Sequence, residues 1–248
     1  MTRFFHVSDV HFGRENREAV DWFNARVRDE KPAAVIMTGD LTMRARAKEF
    51  AAAAEWLESL GVPVTVEVGN HDLPYFNPFA RLAMPYRRYR SLERMIERPL
   101  DVRGVSIVPL KTTARFQFRT NWSKGHVSTR ALRKSLALAE AVPTGDLVFV
   151  AAHHPLVEAG TRATSRTHGG RRALEALAQA GADAVLSGHV HDPFDIEHRI
   201  GDHAVRLIGA GTLSERTRDQ PPSFNEITVD GTGFSTRARF LGEPSVAL

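Results

Sequence analysis

The sequence predicts an α/β protein in which two β-sheets lie against each other with helices outside. Three observations predict it: strand-length apolar runs alternate with helical stretches up to residue 186, closely spaced strands replace that alternation after residue 192, and no repeat, low-complexity tract or linker divides the chain. At 248 residues, 42% hydrophobic and 25% charged, the composition is that of an ordinary globular protein, long enough to bury most of its apolar surface without staples. A single domain over 1–248 is expected.

Phe4–Val7 is a short apolar strand, and Asn16–Glu30 carries Ala19, Val20, Phe23 and Val27 at helical spacing. Ala33–Met37 reads as strand after Pro32; Ala45–Leu60 is an Ala-rich helix with Phe50, Ala54 and Leu57 on one face, stopped by Gly61. Val62–Val68 is a β-branched run. Strands and helices alternating at about 30-residue spacing describe βαβ units and a parallel sheet. Residues 73–100 break the pattern with a Leu73–Pro78 loop and Arg-rich helical segments to Glu97, and Val105–Leu110 is again strand. Residues 112–127 hold Phe116, Phe118 and Trp122 without periodicity, so 73–127 is expected to supply substrate-pocket insertions. Thr129–Glu140 is a helix capped by Ser128 or Thr129. Leu147–Ala151 is strand, Gly170–Ala180 helix and Ala184–Leu186 strand. Ile196–Ile200, Ala204–Ile208, Phe224–Val229 and Phe234–Phe240 are separated by turns such as Gly201-Asp202 and Asp230-Gly231, which makes them hairpins. Over 192–248 these antiparallel hairpins are expected to complete the second sheet.

With no cysteine in the chain, disulfides, thiolate catalysis, Cys-type zinc sites and Fe–S clusters are excluded together. Thirty-three Lys+Arg against 29 Asp+Glu leave a formal charge of +4, which suits anionic partners without excluding or requiring nucleic acid. No apolar run reaches membrane-spanning length. The opening residues meet charge too soon for a signal peptide, so the cytoplasm is the expected address. A homodimer is compatible with the sequence, though no hydrophobic stripe announces one.

Five strands run straight into polar clusters: Asp9-Val10-His11, Gly39-Asp40, Gly69-Asn70-His71-Asp72, His153-His154-Pro155 and Gly188-His189-Val190-His191. In an α/β sheet the carboxyl ends of strands line up along one edge, where ligands bind. Gly-Asn-His-Asp is expected by chance in roughly one in a thousand chains of this length at average residue usage, so five such clusters at strand ends are no coincidence. Asp, Asn and His without sulfur suit Mn, Fe, Zn or Co. In an extended Asp-x-His or His-x-His the outer side chains share a side, and the glycines before Asp40, Asn70 and His189 allow sharp turns. Asp9, His11, Asp40, Asn70, His153, His189 and His191 suffice for two ions if one carboxylate is shared. Two ions roughly 3.5–4 Å apart with a bridging water form a clamp for in-line displacement at phosphorus.

In this order, from residue 9 to 191, the clusters resemble the D-x-H, GD, GNH(D/E), H and GHxH blocks of calcineurin-like metallophosphoesterases. The His153-His154-Pro155 pair and the chain length are most similar to the class III cyclic nucleotide phosphodiesterase branch. The resemblance implies a four-layer α/β/β/α sandwich with two facing mixed sheets. It implies Asp9, His11, Asp40 and His191 on one ion, and Asp40 (bridging), Asn70, His153 and His189 on a second, both divalent or of mixed valence. His71 would stabilise a phosphoryl oxygen or protonate the leaving group, oriented by Asp72. Asn70, His71 and His154 would contact a small-molecule phosphoester. The implied activity is hydrolysis of phosphodiesters, 3′,5′-cyclic nucleotides among them, by a metal-bridging hydroxide. A phosphomonoesterase, a nuclease or a nucleotide-sugar pyrophosphatase would use the same site, whereas a non-catalytic metal-binding scaffold would be expected to have lost ligands.

Other histidines read more simply: His6 as a packed core residue, His168, His198 and His203 as surface, and His126 as part of a loop. Tyr75, Phe76 and Asn77 are expected to wall the site, and Arg81–Arg98 to form a solvated face. Phe116, Phe118 and Trp122 suit either purine stacking or packing. The segment Gly209–Ser214 is expected near the metals by backbone, with no ligand type in it.

Overall fold

In the computed structural model the described residues are 1–74, 92, 95–114, 123–164, 167–231 and 233–243. The first sheet grows from the βαβ units: β1 (Thr2–Val7), α1 (Arg17–Glu30), β2 (Ala34–Met37), α2 (Ala47–Ser59) and β3 (Val64–Val66). β1, β2 and β3 pair in parallel. Because successive side chains on a strand point to opposite faces, each strand serves two layers. Phe5, Val7, Val35 and Met37 pack on Phe23, Val27, Phe50 and Leu57 of the helices, while Phe4, Ala34 and Ile36 turn to the second sheet. α1 starts where its periodicity predicts, with the Asn16 side chain accepting from Ala19 N–H at 3.0 Å.

The second sheet contains β4 (Leu100–Val102), β5 (Val105–Pro109), β6 (Leu147–Ala151), β7 (Ala184–Ser187), β8 (Phe194–Ile200) and β9 (His203–Gly209), in the order β4-β5-β6-β7-β9-β8. Its inner strands are parallel and its two edges antiparallel. Two helices, α3 (Thr129–Glu140) and α4 (Gly170–Gln179), cover its outer face. Leu132, Ala139, Leu174 and Leu177 bury against Val148, Val150, Val185 and Leu207. Between the sheets Ile107, Phe149, Ala151, Leu186 and Ile208 meet Phe4, Ile36 and Ile227. Helices, sheet, sheet and helices therefore form the four expected layers.

Two details differ from expectation. β4 starts at Leu100, where the stretch 73–100 that breaks the sequence pattern ends, and its three residues are too few for a periodic signal. The C-terminal hairpins do not both complete the second sheet. β8–β9 extends it through β7, but β10 (Ser223–Asp230) and β11 (Gly233–Phe240) join the first sheet, with β10 antiparallel to β1. β10 is apolar on both faces: Phe224 packs under the helices, and Ile227 and Val229 between the sheets. Such a strand needs a central place, and the open edge of β1 supplies one.

Just past β3, Glu67 is buried, and its Oε1 meets no hydrogen-bond partner among the described residues. Burial, reinforced by Glu97, pushes its carboxyl well above the usual range, against the pull of Lys111 and Lys134. A raised folded-state pKa means that the native state holds a proton which the unfolded chain has released, so this contribution to stability falls as pH climbs past the unfolded value. Glu67→Gln is therefore expected to raise Tm by a few degrees, equivalent to about 1 kcal/mol in a chain of this size. Melts from pH 4 to 9 should show the gain at the alkaline end and none near pH 4.

Candidate metal centre

The loops leaving β1 and β2 travel together. Asp9 N–H donates to the Gly39 carbonyl and His11 N–H to the Asp40 carbonyl, both at 3.0 Å. The ligand tripeptides are not extended: φ is +55° at Asp9, +53° at His11, +54° at Asp40, +70° at His189 and +59° at His191. Left-handed backbone at non-glycine residues is costly and clusters at functional sites. Here it swings the outer residues of each tripeptide to one point while Val10 and Val190 stay buried. Side-chain convergence thus comes from two left-handed turns rather than from strand alternation. Gly39, with φ +94°, could not carry a Cβ, which would lie 2.7 Å from His153 Nδ1. A Cβ on Gly69 would overlap the Asp40 carboxylate.

The acceptor atoms of the site crowd together. Asp9 Oδ1 lies 3.0 Å from His191 Nε2 and 3.6 Å from His11 Nε2. The two Nε2 atoms of His11 and His191 are 3.2 Å apart. Asp40 reaches both sides, with Oδ2 3.8 Å from His11 Nε2 and Oδ1 3.4 Å from His153 Nε2. His153 Nε2 is 3.1 Å from Asn70 Oδ1. The other ring nitrogens are tied to backbone carbonyls, His191 Nδ1 to Arg216 and His153 Nδ1 to Thr38, each at 2.7 Å. Those N–H···O=C bonds orient the Nε2 atoms of both rings inward, as outer partners of metal ligands do.

This donor set fits metal ions. Asp9 Oδ1 is buried and makes no well-aligned hydrogen bond among the described residues, although the ring nitrogens of His191 and His11 crowd it, and buried polar atoms without aligned partners are rare. Ring nitrogens and carboxylate oxygens facing one another at one point make a set of donors that a cation would satisfy together. Protons answer the same field: burial lowers the affinity of the His153 ring for a proton, but Asp40 and Asp9 override it and push the pKa up to about 9. Ligand atoms within 4.8 Å of one another form the sets Asp9/His11/His191, Asp9/Asp40/His153, His11/Asp40/His71 and His153/His154/His189. The four residues expected on the first ion are together. Of the second set, Asp40, Asn70 and His153 converge, and the His189 ring lies edge-on 5.2 Å from that of His153. Chelation of the protein is expected to lower Tm by roughly 5–10 °C, because a ligand at a hundred times its Kd adds about 2.7 kcal/mol. Adding Mn should restore it, and an unchanged melt would oppose the assignment.

Two residues have other duties than expected. Asp72 does not orient His71. Its carboxylate accepts from Leu41 N–H at 3.2 Å, Thr42 N–H at 2.8 Å, Thr42 Oγ1 at 3.0 Å and Gly69 N–H at 3.0 Å. It thereby ties the loop after β2 to the loop after β3. His71 is held instead by the Met43 carbonyl, 2.8 Å from Nδ1. His154, expected at the substrate, is buried, and its nitrogens are taken by Thr112 Oγ1 and the Ser123 carbonyl, each at 2.9 Å. His6 is core as expected, bonded to Thr38 and Asn225. Tyr75, Phe76, Asn77, Phe116, Phe118, Trp122 and residues 81–91 lie outside the described residues.

Sequence reasoning missed Arg216. Its Nη1 is 3.2 Å from His71 Nε2 and 3.4 Å from His11 Nε2. It follows the segment Gly209–Ser214, which approaches the centre through a hydroxyl: Thr212 Oγ1 donates to the Asp9 carbonyl at 2.6 Å. One arginine in a chain this rich in arginine carries no signal of its own. A cavity of about 300 Å³ opens over the centre, lined by Asp40, Asn70, His71, Lys124, Arg216 and Arg218, among others. No helix among the described residues is long and apolar enough to cross a membrane.

Residues 2–193 match the calcineurin-like phosphoesterase family. No curated protein matches the chain. Among solved structures, a dimetal phosphatase from Danio rerio superposes with a TM-score of 0.68 at 14% identity, covering 95% of this chain and 98% of that one. A purple acid phosphatase from yellow lupin (Lupinus luteus) seeds gives 0.71 at 13% identity, covering 96% of this chain and 51% of the lupin chain, about half its length. A phosphopantetheinyl hydrolase from Mycobacterium tuberculosis gives 0.54 at 16% identity, covering 100% and 98%. At these identities the superpositions establish a shared fold.

Proposed function

The chain belongs to the calcineurin-like phosphoesterase family, and from that premise we propose that it hydrolyses small-molecule phosphoesters at a two-ion centre built on Asp9, His11, Asp40, Asn70, His153, His189 and His191. The observation that carries this reading is the position of Asp40, whose two oxygens face the His11 and the His153 sides of the site. When bound, two ions in the Mn, Fe, Zn or Co class supply an activated water and neutralise phosphoryl charge. The protein supplies orientation. Asn70 presents a neutral oxygen beside His153. His71, whose Nδ1 proton is engaged by Met43, turns Nε2 to the cavity, where the ring, once it carries a second proton on Nε2, would pass that proton to the leaving oxygen.

Two substrate readings follow. Resemblance to the cyclic nucleotide branch favours phosphodiesters, including 3′,5′-cyclic nucleotides. Arg216 favours terminal phosphoryl groups, as does the description of two structural neighbours as phosphatases. Rates on an aryl diester, an aryl monoester, 3′,5′-cyclic AMP, 2′,3′-cyclic AMP and single-stranded DNA, with Mn-loaded protein, separate them. At least one ester should be cleaved, with the activity lost on chelation and regained with Mn. Cleavage of none would overturn the proposal.

A further inference from the structure

Resting on that reading, we propose that Arg216 makes the site select a terminal, dianionic phosphoryl group over an internal phosphodiester. Its guanidinium is half-buried at the wall of the cavity, against the neutral or basic nitrogens of His71 and His11 and the Met43 sulfur. Among the described residues no carboxylate lies within ion-pair distance of it. Other half-buried arginines of the chain are paired, Arg239 with Glu30 and Glu226 and Arg3 with Glu30. A guanidinium cannot shed its charge, so one facing a cavity with no carboxylate of the described residues within ion-pair distance is open to an anion from outside.

The remaining charges agree. Two bound divalent ions would outweigh the carboxylates of Asp9 and Asp40, and Arg216 would add to that excess, with Arg218 and Lys124 further round the same cavity. A phosphomonoester offers three non-bridging oxygens, enough to meet the ions and still leave an acceptor for the arginine fork. A diester gives up one of those oxygens to a carbon substituent, and a carbon group against the fork leaves a desolvated charge without a partner. At about 300 Å³ the cavity is at the small end for ligand sites, which suits a phosphoryl group whose organic portion points out. The reaction is R–O–PO₃²⁻ + H₂O → R–OH + HPO₄²⁻. The bond from phosphorus to the ester oxygen breaks, water oxygen takes its place, and the leaving oxygen receives a proton.

The position is held by its main chain. Arg216 N–H donates to Ser214 Oγ at 3.2 Å, and its carbonyl accepts from His191 Nδ1 at 2.7 Å. Changing the side chain therefore leaves the anchor of His191 in place, and the metal content of Arg216→Met, measured by elemental analysis, should equal that of the parent. With Mn-loaded protein, Arg216→Met is expected to lose about 10- to 100-fold in kcat/KM on an aryl monoester, and at least fivefold less than that on a methyl aryl diester. Calorimetry with inorganic phosphate should show binding weakened about tenfold, and partly recovered in Arg216→Lys. Equal losses on the two esters would overturn the proposal, as would phosphate affinity unchanged by the substitution. If the parent cleaves neither ester, the hydrolase reading fails by itself, and the phosphate titration still decides what Arg216 binds.

Discussion

Asp40→Asn is expected to reduce turnover by about three orders of magnitude or more and to leave the protein short of metal. The carboxylate is buried between the His11 and His153 sides of the centre, and Oδ1 also accepts His71 N–H at 2.9 Å. Burial alone would raise its pKa, but His153, His71 and His11 hold the carboxyl well below the usual range, so it is ionised in the folded protein. Asparagine keeps the size and the acceptor for His71 N–H while removing the charge that two ions would share. Charge stabilisation by bound metal is worth several kcal/mol, and each 1.36 kcal/mol is a factor of ten in rate. Elemental analysis and kcat on the same preparation check it. A variant retaining its full metal complement and its rate would remove Asp40 from the centre.

Asp72→Ala is expected to act on stability first. The substitution strips the acceptor from three buried backbone N–H groups, those of Leu41, Thr42 and Gly69, and leaves the Thr42 hydroxyl with the His71 carbonyl at 3.3 Å. Each unsatisfied buried donor costs about 1–3 kcal/mol. Allowing for relaxation, a loss of about 3–5 kcal/mol, or roughly 10 °C in Tm, is expected. Melting the chelated protein isolates this effect from metal binding. His71→Ala is the contrast, with a slower reaction and a much smaller fall in Tm, because the His71 ring makes a single hydrogen bond between those loops, to the Met43 carbonyl at the cavity wall, where Asp72 makes four. Should Asp72→Ala melt like the parent and yet turn over slowly, the carboxylate belongs to the reaction after all.

How far the chain could be read unaided depends on the range over which each feature is encoded. Apolar periodicity is local, so β1, α1, β2 and α2 fall within a few residues of where Phe5, Phe23, Val35 and Leu57 predict them. The candidate metal ligands are legible for a related reason. Each follows a strand at once, and a βαβ chain must deliver strand ends to one edge, so Asp9, Asp40, Asn70, His153 and His191 meet although up to 182 residues separate them.

Side-chain partnership is not local. Asp72 sits beside His71 in sequence, yet its oxygens serve the loop at Leu41 and Thr42, because the φ of +54° at Asp40 turns that backbone toward it. His154 is chemically as good a ligand as His153 and lies beside it, but Thr112 Oγ1 and the Ser123 carbonyl occupy both of its ring nitrogens. The partition of two similar C-terminal hairpins between two sheets depends on which edge each sheet leaves open. Arg216 is one arginine among many until the turn after β9 carries it to His11 and His71. Ligand chemistry and strand position were therefore determined by the sequence alone. Which polar groups face the cavity, and which are spent holding loops together, was decided by tertiary structure, since those pairings join segments whose distance in space no local pattern specifies.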